Sequence, residues 1–167
     1  MISRMKKKLF ASGVCLLLFA PCFAAEAGLG HDHDMELGLS LSAVKISHAE
    51  ALLAGLHLHV SRRLAAAGLG SVLSAIVGVE TLLGGDPHTA LHAGILIHPW
   101  RGLALDISPG ILWAREDGAR ETRFVLHLEA AYGFELGELE IGPVVELAFA
   151  GKDRHFSVGL HLGYGFS

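Results

Sequence analysis

The chain has 167 residues, 13 basic against 17 acidic side chains, a net charge of −4 and 51% hydrophobic residues. Such a composition excludes disorder and the length allows one domain, while the mildly acidic balance offers no basic field for phosphates, so no nucleic-acid partner is expected.

Arg4 and Lys6, Lys7 and Lys8 precede an apolar stretch from Leu9 to Phe23, broken by Pro21, and Ala25-Glu26-Ala27 offers small residues where a signal peptidase cuts. Residues 1–27 therefore read as a cleaved signal peptide. Residues 28–34, with His31-Asp32-His33-Asp34, read as a flexible segment, most simply a solvated tether and alternatively a metal-capturing one. Residues 35–167 read as the folded domain. Cleavage removes four basic residues and one acidic one, leaving 9 basic and 16 acidic residues, net −7, with all eleven histidines. Both cysteines, Cys15 and Cys22, leave too, so no disulfide is expected in the exported chain.

The remaining sequence falls into runs of about 10 to 13 residues separated by turn chemistry. Met35 to Ile46 alternates Leu37, Leu39, Leu41 and Ala43 with Glu36, Gly38, Ser40 and Ser42, the period of two that marks a strand. Ala51 to Ser61 sets Leu52, Ala54, Leu56, Leu58 and Val60 against Gly55, His57, His59 and Ser61. Leu69 to Leu82 is weaker, because Val72 and Ile76 interrupt a set containing Ser74, Gly78 and Glu80. Thr89 to His98 opposes Leu91, Ala93, Ile95 and Ile97 to His92, Gly94, Leu96 and His98. After the turn Pro99-Trp100-Arg101-Gly102 comes Leu103 to Trp113, with Asp106, Ser108 and Gly110 on its polar face. Arg115 to Glu121 reads as a charged, solvated loop, the longest candidate for outside contacts. Arg123 to Phe134 carries Arg123, His127 and Glu129 on one face, and Leu139 to Phe149 carries Glu140, Gly142 and Glu146.

The last run, His155 to Phe166, alternates without exception: Phe156, Val158, Leu160, Leu162, Tyr164 and Phe166 against His155, Ser157, Gly159, His161, Gly163 and Gly165. A soluble sandwich strand is usually about half this length, whereas a tilted strand crossing a bilayer needs about 9 to 11 residues. Eight such strands predict an all-β fold: an eight-stranded antiparallel transmembrane β-barrel, large apolar side chains toward lipid and small or polar ones inside. Closure also removes the edge such strands would expose. Pro109 and Pro143 fall inside strands and cannot donate to a ladder, so bulges or local breaks are expected there. Leu64 to Leu83, with one charge, is also long and apolar enough for a membrane helix; strand periodicity on both sides argues for a strand pair instead.

Ile107-Ser108-Pro109-Gly110, Leu126-His127-Leu128-Glu129, Tyr132-Gly133-Phe134-Glu135, Ile141-Gly142-Pro143-Val144-Val145-Glu146 and Gly159-Leu160-His161-Leu162-Gly163-Tyr164-Gly165-Phe166 resemble a group of small, uncharacterised bacterial outer-membrane β-barrel proteins. The likeness covers residues 90–167 and reaches the first half only by pattern. Phe166 resembles the terminal aromatic read by barrel-assembly machinery, although Ser167 follows it. The resemblance implies a Gram-negative outer membrane, with lipid and that machinery as partners, and brings no activity with it.

With both chain ends periplasmic, Asp106, Ser108, His127, Glu129, Glu146 and His161 fall near mid-lumen. Imidazole and carboxylate together suit a divalent metal, which makes Asp106, His127, Glu129, Glu146 and His161 the candidate ligands. The competing reading is a plug of paired charges, Arg123 among the partners, in a barrel too narrow to conduct. His57 and His59 are expected lower down, as polar filling. No other cofactor is expected. His155-Phe156-Ser157 is similar to the His-x-Ser spacing of lipid A deacylases, but acyl transfer needs an acid and an entry route for the acyl chain, neither of which the strand order supplies. The expected function is a non-catalytic outer-membrane barrel with a plugged polar lumen serving a structural, adhesive, small-solute or metal-binding role; a lipid A-modifying enzyme and a soluble periplasmic ligand-binding barrel are the alternatives.

Overall fold

A computed structural model describes residues 33–47, 51–65, 72–84, 88–116 and 119–167. The expected signal peptide and the His31-Asp32 pair lie outside the described residues. Asp34 is held to the second strand, its carbonyl accepting a hydrogen bond from Arg63 N–H at 2.9 Å.

The strands are β1 (Met35–Ile46), β2 (Leu52–Arg63), β3 (Leu73–Leu83), β4 (His88–Trp100), β5 (Leu103–Glu116), β6 (Ala119–Tyr132), β7 (Phe134–Leu136), β8 (Leu139–Ala150) and β9 (Asp153–Phe166). From β1 to β6 each strand pairs antiparallel with its sequence neighbour, β8 pairs with β6, β7 and β9, and β1 pairs with β9 from Met35↔Phe166 to Ile46↔His155, which closes the sheet. β6 and β7 are one strand interrupted at Gly133, because both pair with β8 in a single register, Ala131↔Val144 and then Phe134↔Ile141. The result is an eight-stranded antiparallel barrel. Leu73–Leu83 is strand β3, paired on both sides, and no helix among the described residues is long and apolar enough to cross a membrane.

Alternation in the sequence becomes inside and outside in the barrel. In β9 Leu160 is 45% exposed and its neighbour His161 3%. Leu37, Leu41, Val77, Val79, Ile107 and Ile111 are likewise exposed on the outer wall. A band of this kind is unfavourable in water and matches a lipid-facing wall. Outward aromatics gather toward both rims: Trp100, Phe134, Tyr164 and Phe166 at the end holding the chain termini, and Trp113, Phe124, Phe149 and Phe156 at the other. Such rings, apolar with a polar handle in Trp and Tyr, favour the two interfaces of a bilayer.

Both prolines coincide with gaps in one ladder. Register between β4 and β5 is the same on either side of Pro109, but the pairing is interrupted between His92↔Gly110 and Ile95↔Ile107. On its other side Pro109 still pairs with Leu126. Pro143 pairs with Leu160 in β9, and its opposite side faces the Tyr132–Gly133 interruption. These are breaks without a change of register at the proline, and the missing N–H costs one rung each.

The segment Arg115–Glu121 is not a loop. Arg115↔Arg120 and Glu116↔Ala119 extend the β5–β6 hairpin, leaving 117–118 outside the described residues. Backbone pairing continues because it does not require apolar side chains, and these charges sit at a wet rim. Gly102 turns the chain between β4 and β5 with φ of 76°, where a Cβ would also meet the Gly133 carbonyl oxygen at 2.7 Å. Arg101 and Glu135 form an ion pair at that rim. Exposed pairs of this type contribute about 0–1 kcal/mol, so Arg101→Ala is expected to leave the urea midpoint nearly unchanged.

Inside, toward the end remote from the chain termini, an apolar cluster lies beside the buried His155, which pairs with Ala148. Ala90, Leu112, Val125, Ala148 and Ala150 form one buried cluster there, with Val44 and Leu82 also buried. The alternation places Val125 and Ala148 on the lumen-facing side, so their inward direction is legible in the sequence; that they gather with Ala90, Leu112 and Ala150 into one apolar cluster is not.

Candidate functional site in the barrel lumen

Below the apolar layer the lumen is filled by imidazoles and carboxyls. The register explains how they meet. Asp106, Glu129, Glu146 and Ser157 lie in one row across β5, β6, β8 and β9. On β2, His57 and His59 are paired with Glu80 and Gly78 of β3, and Gly78 with His92 of β4. Gly78 has no side chain to spare the space for: a Cβ there would lie 2.6 Å from His92 Cε1 and 2.7 Å from His57 Nε2.

The rings form a continuous column. Centroid separations are 5.4 Å for His161–His59, 5.1 Å for His59–His57, 4.8 Å for His57–His92 and 4.6 Å for His92–His127. Carboxylates flank it. His127 Nδ1 is 2.7 Å from Glu146 Oε1, His57 Nδ1 is 3.2 Å from Glu129 Oε2, and Ser157 Oγ donates to Glu146 Oε2 at 3.5 Å. Among the described residues no lysine or arginine is buried, whereas Glu80, Asp106, Glu129, Glu140 and Glu146 are. A buried carboxylate needs a counter-charge or a proton, so imidazole or a bound cation must supply it.

Arg123 does not serve that purpose. It pairs with Glu121 and, at 2.8 Å, with Asp153 near the rim, because the rest of β6 separates it from the acidic row.

Three groups place His and Glu ligand atoms within 4.8 Å of one another: His57, Glu129 and Glu146; Glu80, His127 and Glu146; and Glu36, His59 and His161. Of the five residues expected to hold a metal, His127, Glu129 and Glu146 share the centre, while His161 belongs to the third group, toward the chain termini. Asp106 joins none of them; Ser108 Oγ donates to its Oδ1 at 2.6 Å. His57 belongs to a central group and His59 to the one toward the chain termini: strand tilt and stagger bring His57 level with Glu129 and Glu146, which comparison of heights along each strand alone does not reveal. Glu36, Glu80 and His92 were missed for the same reason. Their inward parity was readable in the sequence, but not which rows they share.

Ser157 faces the lumen, 3% exposed, beside Glu146 rather than a lipid path, and His155 meets His88 at 6.1 Å. The wall therefore stands between the His-x-Ser pair and any acyl chain outside.

The backbone resembles solved structures closely enough to classify it. Neisserial surface protein A superposes with a TM-score of 0.53 at 10% identity, covering 79% of this chain and 96% of that one. The N-terminal β-barrel domain of Pseudomonas aeruginosa OprF gives 0.54 at 11% identity over 78% and 97%. The fold is that of the small outer-membrane β-barrels. Ail, the attachment invasion locus protein of Yersinia pestis, gives 0.51 at 15% identity over 83% of this chain and 100% of Ail. No protein-family model and no curated protein sequence matches the chain. At these identities the likeness concerns backbone architecture, and the lumenal histidines are properties of this sequence.

Proposed function

We propose that the chain is a non-catalytic outer-membrane protein, delivered by a cleaved signal peptide and inserted by barrel-assembly machinery, whose lumen is a closed polar plug. The observation that carries this reading is the column His161–His59–His57–His92–His127, capped at one end by the apolar layer around Leu112 and Val125. Rings at contact distance fill much of a narrow lumen, and an apolar layer disfavours ions, both of which support a plug. Attachment, which the name of Ail states for that protein, is one role open to such a barrel, with its exposed hairpin ends as the contact surface. The membrane reading expects heat-modifiable gel migration and extraction only with detergent. The plug reading expects vesicles loaded with the protein to show no swelling with small sugars and no ion conductance; steady conductance would contradict it.

A second reading is favoured by the short distances at the centre. His127, Glu129 and Glu146, with His57 and Glu80, hold a divalent ion in exchange for the His127–Glu146 hydrogen bond. Zinc titration that perturbs His57 and His127 together would support it.

A further inference from the structure

We propose that Glu36, His59 and His161 form a site for a divalent transition-metal ion of the zinc class at the lumen mouth nearest the chain termini. The site is separate from the hydrogen-bonded centre and independent of whether the barrel conducts.

Distances fit the ion. Glu36 Oε1 lies 3.4 Å from His161 Nε2 and 3.7 Å from His59 Nε2. Ligands about 2.0–2.1 Å from a tetrahedral centre stand about 3.4 Å apart, so Glu36 and His161 are already at that spacing, Glu36 and His59 are a few tenths of an ångström beyond it, and all three ligand atoms lie within 4.8 Å of one another.

The rings are set for it. Ser40 Oγ is hydrogen-bonded to His161 Nδ1 at 3.1 Å, which directs Nε2 at Glu36. A polar group holding the far nitrogen is the usual outer partner of a metal-ligating imidazole. His59 stacks on His161 with an interplanar angle of 7°, is 3% exposed, and neither of its ring nitrogens has a hydrogen-bond partner. A buried imidazole left in that condition is unfavourable, and a metal on Nε2 removes part of the cost.

The space is kept open by two glycines paired across β1 and β9. A Cβ on Gly163 would lie 3.1 Å from Glu36 Oε1 and 3.2 Å from His161 Nε2, and one on Gly38 would run into the His59 ring. A cavity bounded by these three ligands and by Leu96, His98, Glu129 and Glu140 opens at this mouth. Glu36 is only half-buried, so an ion arriving from this end meets it first. Two imidazoles and one carboxylate select zinc, copper or nickel over calcium and magnesium, leaving the fourth position to water.

The test uses untagged protein purified from membranes in detergent, titrated with Zn²⁺ alone and followed by calorimetry and by imidazole nitrogen resonances. Saturation is expected to move the Nε2 resonances of His59 and His161. Glu36→Gln is expected to weaken binding at least tenfold and Ser40→Ala, which leaves every ligand in place, by roughly 10–100-fold. Heat-modifiable migration verifies that each variant is folded, and the wild-type resonances decide the matter if a variant is not. Unmoved His59 and His161 at saturation, shifts confined to His57 and His127 or to His31 and His33, or equal shifts with Mg²⁺ would each overturn the proposal.

Discussion

Leu160→Arg is expected to lower folding stability in a bilayer by about 2–4 kcal/mol. Leu160 is at the middle of β9, 45% exposed on the outer wall and paired with Leu41 and Pro143, so an arginine there faces the hydrocarbon centre with no partner to meet. Near the rim the cost falls to about 0–1 kcal/mol, and the sequence places exposed Arg154 and Lys45 there, both on the outward face. Were the outer wall in water, an exposed leucine could become arginine within about 0.5 kcal/mol. Urea unfolding from lipid vesicles separates the two values.

Glu146→Ala carries the second large effect. Its two oxygens serve His127 Nδ1 and Ser157 Oγ, and Glu146 belongs to both central His/Glu groups. Removing one partner of a buried pair costs about 3–5 kcal/mol, because the other is left polar and unmatched. The double variant His127→Leu/Glu146→Leu removes both and is expected to be far less damaging than the single ones suggest when added. A near-neutral Glu146→Ala, read by the same unfolding assay, would mean that water reaches the centre and that the plug is open.

The fold was largely legible because lipid and lumen impose opposite demands on successive side chains. His155 to Phe166 shows this most clearly, since every second residue is large and apolar and every other one small or polar. The β5–β6 hairpin tip was misread because Arg115, Arg120 and Glu121 carry charge, although strand pairing at a wet rim tolerates it. The site was legible residue by residue but not as an arrangement. His127, Glu129 and Glu146 are legible together because β6 and β8 are adjacent and short-linked, while His57 and His92 reach the same depth, and His59 the level of His161, only through the stagger of a closed barrel.

The direct test of the orientation of the wall is nuclear magnetic resonance of the protein in bilayers containing a lipid spin-labelled mid-chain. The barrel described here predicts strong broadening of the side-chain signals of Leu160, Leu162 and Ile107, with His161, His57 and Ser108 sharp. Broadened imidazoles beside sharp leucines would contradict it.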